Sequence, residues 1–375
     1  MVIHPANPDI VYVAARGPLY SEGGERGLYK TTNGGRTWQQ VLAPEVEGRT
    51  IGVVDAVMDP TDPNTLYAAS YDKVRLPFTF DLGGPGSRLW KTTDGGANWI
   101  QIGQGLPEGM LGRIGVDVYE RDPSILYVTI ENANKEGMSE EERRQELLNH
   151  ESSRGMIGGE VYRSDDAGPT WTKVSPDDQS IGGAPAYYYG QIIIDPNDPD
   201  IVHVLSAASW GTYDGGETWE RRPYGFGGDD HALWINPDDS EHIILGYDHG
   251  MGVSYDGGEN WYHPDFQSLA QFYAVGVDQS YPYRVAGGLQ DNGSHMTYHT
   301  NPAGGPVRFE AWERVGGGDG MYNEFDWCEN RYLYNESQFG PIRRTDLWTG
   351  EVRGIRYQDD EMRWNWNAPI LVSPH

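Results

Sequence analysis

The sequence of 375 residues predicts an all-β fold, a β-propeller of about seven four-stranded blades. Three observations carry this. An Asp/Asn-Gly turn recurs five times, a Pro-rich turn alternates with it, and short runs of strand-forming residues flank both.

The first turn occupies 31–38 (TTNGGRTW), 92–99 (TTDGGANW), 164–171 (SDDAGPTW), 212–219 (TYDGGETW) and 254–261 (SYDGGENW). Asn33, Asp94, Asp166, Asp214 and Asp256 hold the position where a side-chain oxygen accepts backbone N–H groups further along the turn. The glycines supply positive φ, and Trp38, Trp99, Trp171, Trp219 and Trp261 are expected to bury their rings beside the turns. These aspartates are read as structural. The second turn runs through 3–12 (IHPANPDIVY), 58–67 (MDPTDPNTLY), 194–203 (IDPNDPDIVH) and 235–244 (INPDDSEHII), with weaker copies at 121–127 and 277–285. There Pro fixes φ and ends the preceding strand.

Joined, the two turns define a unit of four strands. Five clear units begin near Met1, Ile51, Arg113, Gly190 and Asp230, and two degenerate ones near Gln271 and Asp319. The whole chain, 1–375, is thus read as a single propeller. Insertions at 71–88 and 131–160 fall between the second and third strands of their units, and 139–149 of the latter has the capping and charge pattern of a short helix.

Composition removes several function classes. With 28 Lys+Arg against 56 Asp+Glu, the net charge of −28 repels nucleic acid and anionic membranes. Cys328 is the sole cysteine, so neither an intramolecular disulfide nor a cysteine metal cluster can form. The opening residues lack a signal-peptide pattern, and no apolar run is long enough to span a bilayer. Neither a phosphate-binding Gly-rich loop nor a Gly-x-Ser-x-Gly elbow is present, and no cofactor is expected.

Function is sought where first strands start and second strands end, since in a propeller these positions converge on the axis. The repeat register puts Asp229, Asp230, His231, Asp248 and His249 there, followed by Gln271, Tyr273, Gln290, Asp291, Asn292, Asp319, Glu336 and Gln338. Trp210 or Tyr273 would supply a stacking face for a sugar ring. Units one to three are expected to carry fewer such polar groups. Asp291 and Asp319 are the candidate catalytic pair, as general acid and base or as acid and nucleophile; the competing reading has these groups tying blade to blade. His231 and His249 with the neighbouring aspartates lack metal-site spacing, and no metal is expected.

The Ser/Thr-x-Asp-x-Gly-x-Thr-Trp turns resemble the Asp-box, or BNR repeat, of sialidases, sortilin-type receptors, photosystem-assembly propellers and xyloglucan-active glycoside hydrolases of family 74. The chain is most similar to large bacterial sortilin-like or glycosyl-hydrolase-like repeat proteins, which implies an extracellular or periplasmic location. The sialidase reading lacks its Phe-Arg-Ile-Pro opening here. Resemblance to family 74 implies two aspartates, acid and base, facing one another across a cleft between two propellers. The main expectation is a non-catalytic propeller that binds a protein or carbohydrate within a larger exported assembly; the alternative is a glycoside hydrolase acting on a plant-type β-glucan such as xyloglucan. Residues 351–375 are expected either to close the ring, with 368–372 pairing beside the first blade, or to lead to further blades.

Overall fold

Short strands and tight turns alternate along the chain, and the computed structural model describes residues 1–21, 23–76, 79–135, 156–182, 186–221, 228–248, 250–264, 271–357 and 364–373. The helix expected at 139–149 lies outside the described residues. Those described fall into two compact units, Met1–His263 and Pro264–His375. No helix among them is long and apolar enough to cross a membrane.

The N-terminal unit contains five antiparallel meander sheets. The first is built from Val2–Ile3, Val11–Ala15, Gly27–Thr31 and Gln39–Leu42, the second from Gly52–Met58, Leu66–Tyr71, Leu89–Thr92 and Ile100–Ile102. The third comprises Leu111–Val118, Leu126–Lys135, Met156–Ser164 and Thr172–Lys173, and the fourth Gln191–Ile194, Val202–Leu205, Trp210–Thr212 and Glu220–Arg221. The fifth has three strands, Asp230–Asn236, Asp239–Tyr247 and Gly250–Tyr255. A single bridge from Val253 to Tyr262 stands where its fourth strand would run. Hairpins at Glu45–Val46/Arg49–Thr50 and Val74–Leu76/Thr79–Asp81 complete the unit, the latter within the first insertion.

The C-terminal unit holds two four-stranded sheets. They are Phe272–Val277, Arg284–Leu289, Gly293–Tyr298 and Glu313–Gly316, then Gly320–Phe325, Tyr332–Ser337, Ile342–Asp346 and Val352–Gly354. Every unit start expected from the repeat falls within two residues of an observed first strand. The fold is thus all-β with a propeller-like repetition of sheets.

Each apolar core lies between consecutive sheets. Tyr12, Leu28 and Leu42 of the first meet Val53, Ala56, Leu66 and Ala68 of the second. Tyr67 and Leu89 of the second meet Ile114, Leu126, Val128 and Trp171 of the third. In the C-terminal unit Ala286 and Met296 meet Phe325 and Leu333. Burying such side chains contributes about 1.5–3 kcal/mol each relative to exposure.

All five Asp/Asn-Gly turns close in the same way. In the second, Thr92 Oγ1 donates to Asp94 at 2.8 Å and accepts the Gly96 N–H at 3.1 Å, while Asp94 accepts the Asn98 N–H at 2.9 Å. Hydrogen bonds from the Asn98 side chain and backbone hold Asp94 down at about 2. Four turns use paired glycines at positive φ, and the third puts Ala167 (φ 59°) in the first of those places.

Side chains of one sheet also grip the turn of the next. Tyr12 Oη and Lys30 Nζ both donate to the Gly95 carbonyl, at 2.9 and 2.8 Å. Tyr67 Oη and Lys91 Nζ repeat this at the Ala167 carbonyl, at 2.9 and 2.7 Å. Each lysine also stands over the ring of its tyrosine, at 5.1 and 5.2 Å.

Burial of the turn tryptophans differs from expectation at one position. Trp171 and Trp219 are 5 % and 7 % exposed, but Trp38 is 44 % exposed. The buried rings lean on the last strand of the preceding sheet, as when Trp219 Nε1 donates to the Val174 carbonyl at 2.9 Å. Trp38 sits in the first sheet of its unit, which supplies no such preceding strand.

Residues 364–373 form no strand. They lie along the seventh sheet: the Ala368 N–H reaches Glu336 at 2.8 Å, Phe339 donates to the Trp366 carbonyl at 3.2 Å, and the Phe339 and Trp366 rings meet edge to face.

Candidate functional site

Within each unit the polar positions named from the repeat register lie where first strands start and second strands end. In the fifth sheet Asp230 opens the first strand opposite Tyr247, which closes the second. Asp229, at φ 62°, turns the chain into that strand, and its carbonyl accepts the Asp248 N–H at 3.2 Å. His231 Nε2 lies 2.7 Å from Asp248 Oδ1. The Tyr189 hydroxyl donates to Asp229, and the Tyr189 ring stacks on His231 at 5.2 Å between centroids. Asp230, buried, accepts from Ser209 Oγ at 2.6 Å; burial pushes its carboxyl up, and the nearby Asp229 charge adds to the shift. The structure therefore brings Asp229, Asp230, His231 and Asp248 together and adds Tyr189 and Ser209, which sequence reasoning missed. His249 lies outside the described residues. Trp210 is half-buried against the fourth sheet's core, with the Arg221 guanidinium over its ring at 5.2 Å.

The C-terminal unit assembles the remaining positions. Gln290 donates its N–H to the Gln271 carbonyl at 3.0 Å, and the Gln290 carbonyl accepts the Asn292 N–H at 2.8 Å. Asp291 sits between them at φ 60°, and its N–H reaches Asp319 Oδ1 at 2.5 Å. Gln338 Oε1 accepts the Asp319 N–H at 3.0 Å, and the Asp319 carbonyl accepts the Gln338 N–H at 3.2 Å. Asp319 thus bridges the sixth and seventh sheets with its carboxylate direction fixed. Glu336 is buried, burial pushes it upward, and its Oε2 has no hydrogen-bond partner among the described residues. Tyr273 is half-buried on the opening strand of the sixth sheet.

The second and third sheets carry more polar groups at these positions than the sequence suggested. Tyr71 ends its second strand, Glu131 precedes Asn132, the partner of Leu111 that opens the first strand, Arg113 lies two residues into that first strand, and Tyr71 and Glu131 are buried. Burial pushes Glu131 up to about 7 against the opposing N–H groups of Ala186 and Arg113. Its Oε2, Tyr71 Oη and Arg113 Nε have no hydrogen-bond partners among the described residues. The signal was available, because these residues occupy the strand positions at which the later sheets were searched. A raised carboxyl alone is not a site. Burial also lifts Asp117 to about 7, yet its oxygens are engaged by the N–H groups of Ile194 and Val118 at 2.8 and 2.9 Å, a link between sheets. Among the described residues no group of three or more His, Cys, Asp or Glu side chains is placed to hold a metal ion.

No family model matches the chain. It is 25 % identical over 241 residues, 59 % of its length, to a xyloglucanase of a Paenibacillus species, and 23 % identical over 246 residues to a probable oligoxyloglucan-reducing end-specific xyloglucanase of Neosartorya fischeri. The matched regions are 20 % and 26 % of those proteins, so the chain spans about a quarter of the curated relatives or less. A GH74 enzyme of Niastella koreensis shares the fold, with a TM-score of 0.50 and 15 % identity over 94 % of this chain and 55 % of that one. These findings correct one expectation. The reading of a non-catalytic binding propeller, more binder than enzyme, gives way because the curated relatives are xyloglucanases. The distant relationship to xyloglucan-active family 74 enzymes, expected from the turns, is the part of the resemblance that the comparisons support.

Proposed function

We propose that the chain is the Asp-box propeller part of a glycoside hydrolase acting on a plant-type β-glucan such as xyloglucan. The observation supporting this is its sequence similarity to two xyloglucanases over 59 % of its length. The polar ends of the sheets suit the chemistry. Glycoside hydrolysis needs one carboxyl group to protonate the glycosidic oxygen as its bond to C1 breaks, and a second carboxylate to activate water or attack C1.

Asp291 and Asp319 are the proposed pair. The hydrogen bond from Asp291 N–H holds Asp319 Oδ1, and the Asp319 side chain is buried at the junction of the two sheets. Asp319→Asn keeps an oxygen able to accept that bond, so the fold should persist while the ionisable group is lost. The test is release of reducing ends from xyloglucan and mixed-linkage β-glucan. The wild-type chain should cleave xyloglucan, and Asp291→Asn and Asp319→Asn should each reduce the rate by about 10²–10⁴-fold. No cleavage by the wild type overturns catalysis by this chain on its own, whereas full activity in both variants overturns the residues alone.

A further inference from the structure

The seventh sheet turns between Tyr332–Ser337 and Ile342–Asp346 through Gln338, Phe339 and Gly340. Phe339 stands at φ 64°, in the left-handed region where a bulky side chain is strained and glycine is not. Its ring is 53 % exposed, so burial in a core does not repay that strain.

Trp366, 41 % exposed, meets Phe339 edge to face at 5.0 Å between centroids, and its carbonyl accepts the Phe339 N–H at 3.2 Å. Anchors on either side hold Trp366 in place. The Ala368 N–H donates to Glu336 at 2.8 Å, and the Trp364 ring lies so close to Gly340 that an added β-carbon would come within 2.2 Å of it. The Arg356 guanidinium stands over that Trp364 ring at 5.2 Å. Trp364 is thus packed, while Phe339 and Trp366 keep open surface. The residue before Phe339 reaches the proposed catalytic group. Gln338 Oε1 accepts the Asp319 N–H at 3.0 Å, and the Gln338 N–H donates to the Asp319 carbonyl at 3.2 Å. The aromatic pair therefore begins one residue from the side chain that brackets Asp319.

In an edge-to-face pair each ring shields at most one face of the other, so flat aromatic surface remains. A β-linked glucose residue suits such a surface with polar groups at its margin. Its hydroxyls are all equatorial, which leaves C–H bonds on both faces to pack on a ring and hydroxyls at the rim to hydrogen-bond. We infer that Phe339 and Trp366 form the stacking platform that seats one glucose residue of a β-glucan backbone beside Asp319. This rests on the glycoside hydrolase reading and names the part of the site that holds the substrate.

Calorimetric titration of the whole chain with a xyloglucan oligosaccharide tests this, with thermal melts of the same preparations. Phe339→Gly removes the ring and suits φ 64°, so it should weaken binding about tenfold or more while the melting midpoint holds or rises. Trp366→Ala should weaken binding by about the same factor, and Trp366→Phe, which keeps a stacking ring, should bind within about threefold of the wild type. Should Phe339→Gly fail to fold, the two Trp366 variants carry the test. The platform is overturned if the wild type does not bind the oligosaccharide, if affinity survives both ring deletions, or if Trp366→Phe binds no better than Trp366→Ala. A lowered midpoint with unchanged affinity would make the pair a brace for residues 364–373 and overturn it equally. Release of reducing ends separates this from the hydrolase reading. Binding through the rings without cleavage keeps the platform and removes catalysis by this chain on its own, whereas cleavage with affinity unchanged in the variants removes the platform alone.

Discussion

The five sheets of the N-terminal unit and the two of the C-terminal unit follow the same meander but are fastened by different chemistry. In the N-terminal unit the third and fourth strands are joined by Asp/Asn-Gly turns, in which a hydroxyl, a side-chain oxygen and backbone N–H groups satisfy one another. The C-terminal unit replaces those turns with a longer connection containing a 3-10 turn at Phe309–Ala311 and with a short loop after Asp346. Its fastening relies on arginine–carboxylate pairs instead. Arg284 Nε meets Asp278 at 2.6 Å, and Arg331 Nη2 meets Asp346 at 2.6 Å. Burial opposes ionisation of Asp278, but hydrogen bonds from the Arg284 backbone, Ser280 and the Arg284 side chain outweigh it and keep the carboxyl low. The turn carboxylates of Asp94, Asp166 and Asp214 are exposed, so water can replace a lost partner, whereas a buried ion pair leaves a charge behind when it is broken.

The strongest test of the turn-based unit is its tryptophan. Trp171→Ala should cost about 3–5 kcal/mol in a denaturant melt, since a large buried ring is removed. Trp38→Ala, at a ring 44 % exposed, should cost much less. Equal losses would show that the turn, and not the preceding sheet, decides the value of the ring. In the C-terminal unit Arg284→Met should cost about 3 kcal/mol, the lower end for breaking a buried pair, because Asp278 retains other donors. A loss below that of Trp38→Ala would remove the contrast between the two units.

The smallest effect concerns pH. The folded value of Glu131, about 7, lies above its ordinary 4.5, so its contribution to stability is complete below 4.5 and is lost as pH rises through about 7. Glu131→Gln should flatten that decline, by roughly 2–3 kcal/mol at most, in melts of the chain between pH 4.5 and 8. A slope identical to the wild type would mean that water reaches the carboxyl.

The sheet starts were legible because both turns are local. Asp94 with its two glycines, or Pro60 after Asp59, specifies chain reversal within a few residues. The sixth and seventh sheets were read from strand spacing alone, since Arg284 and Asp278 act through a pairing that no turn pattern announces. The exposure of Trp38 depends on what the preceding sheet provides, and a single turn does not encode that. A cavity lined in part by Arg26, Arg49 and Lys73 was least visible, because these residues arrive from three segments with no fixed spacing. Glu131 was noticed only as the edge of an insertion, although its strand position matched those searched in later sheets. The clusters around Asp230 and Asp319 were anticipated by register, while their partners Tyr189 and Ser209 came from the preceding sheet and its approach.

The grip of tyrosine and lysine on the next turn has a direction. Tyr12 and Lys30 hold the Gly95 carbonyl of the sheet that follows, and Tyr67 and Lys91 hold Ala167 in the same sense. The first and second sheets are therefore each a client of their successor. In a chain of nearest-neighbour couplings, loosening one turn withdraws support from the sheet before it. Through these contacts, disorder travels toward the N-terminus. The third turn is then a vulnerable junction, since two donors of the second sheet depend on a carbonyl carried by Ala167, a left-handed residue with a β-carbon.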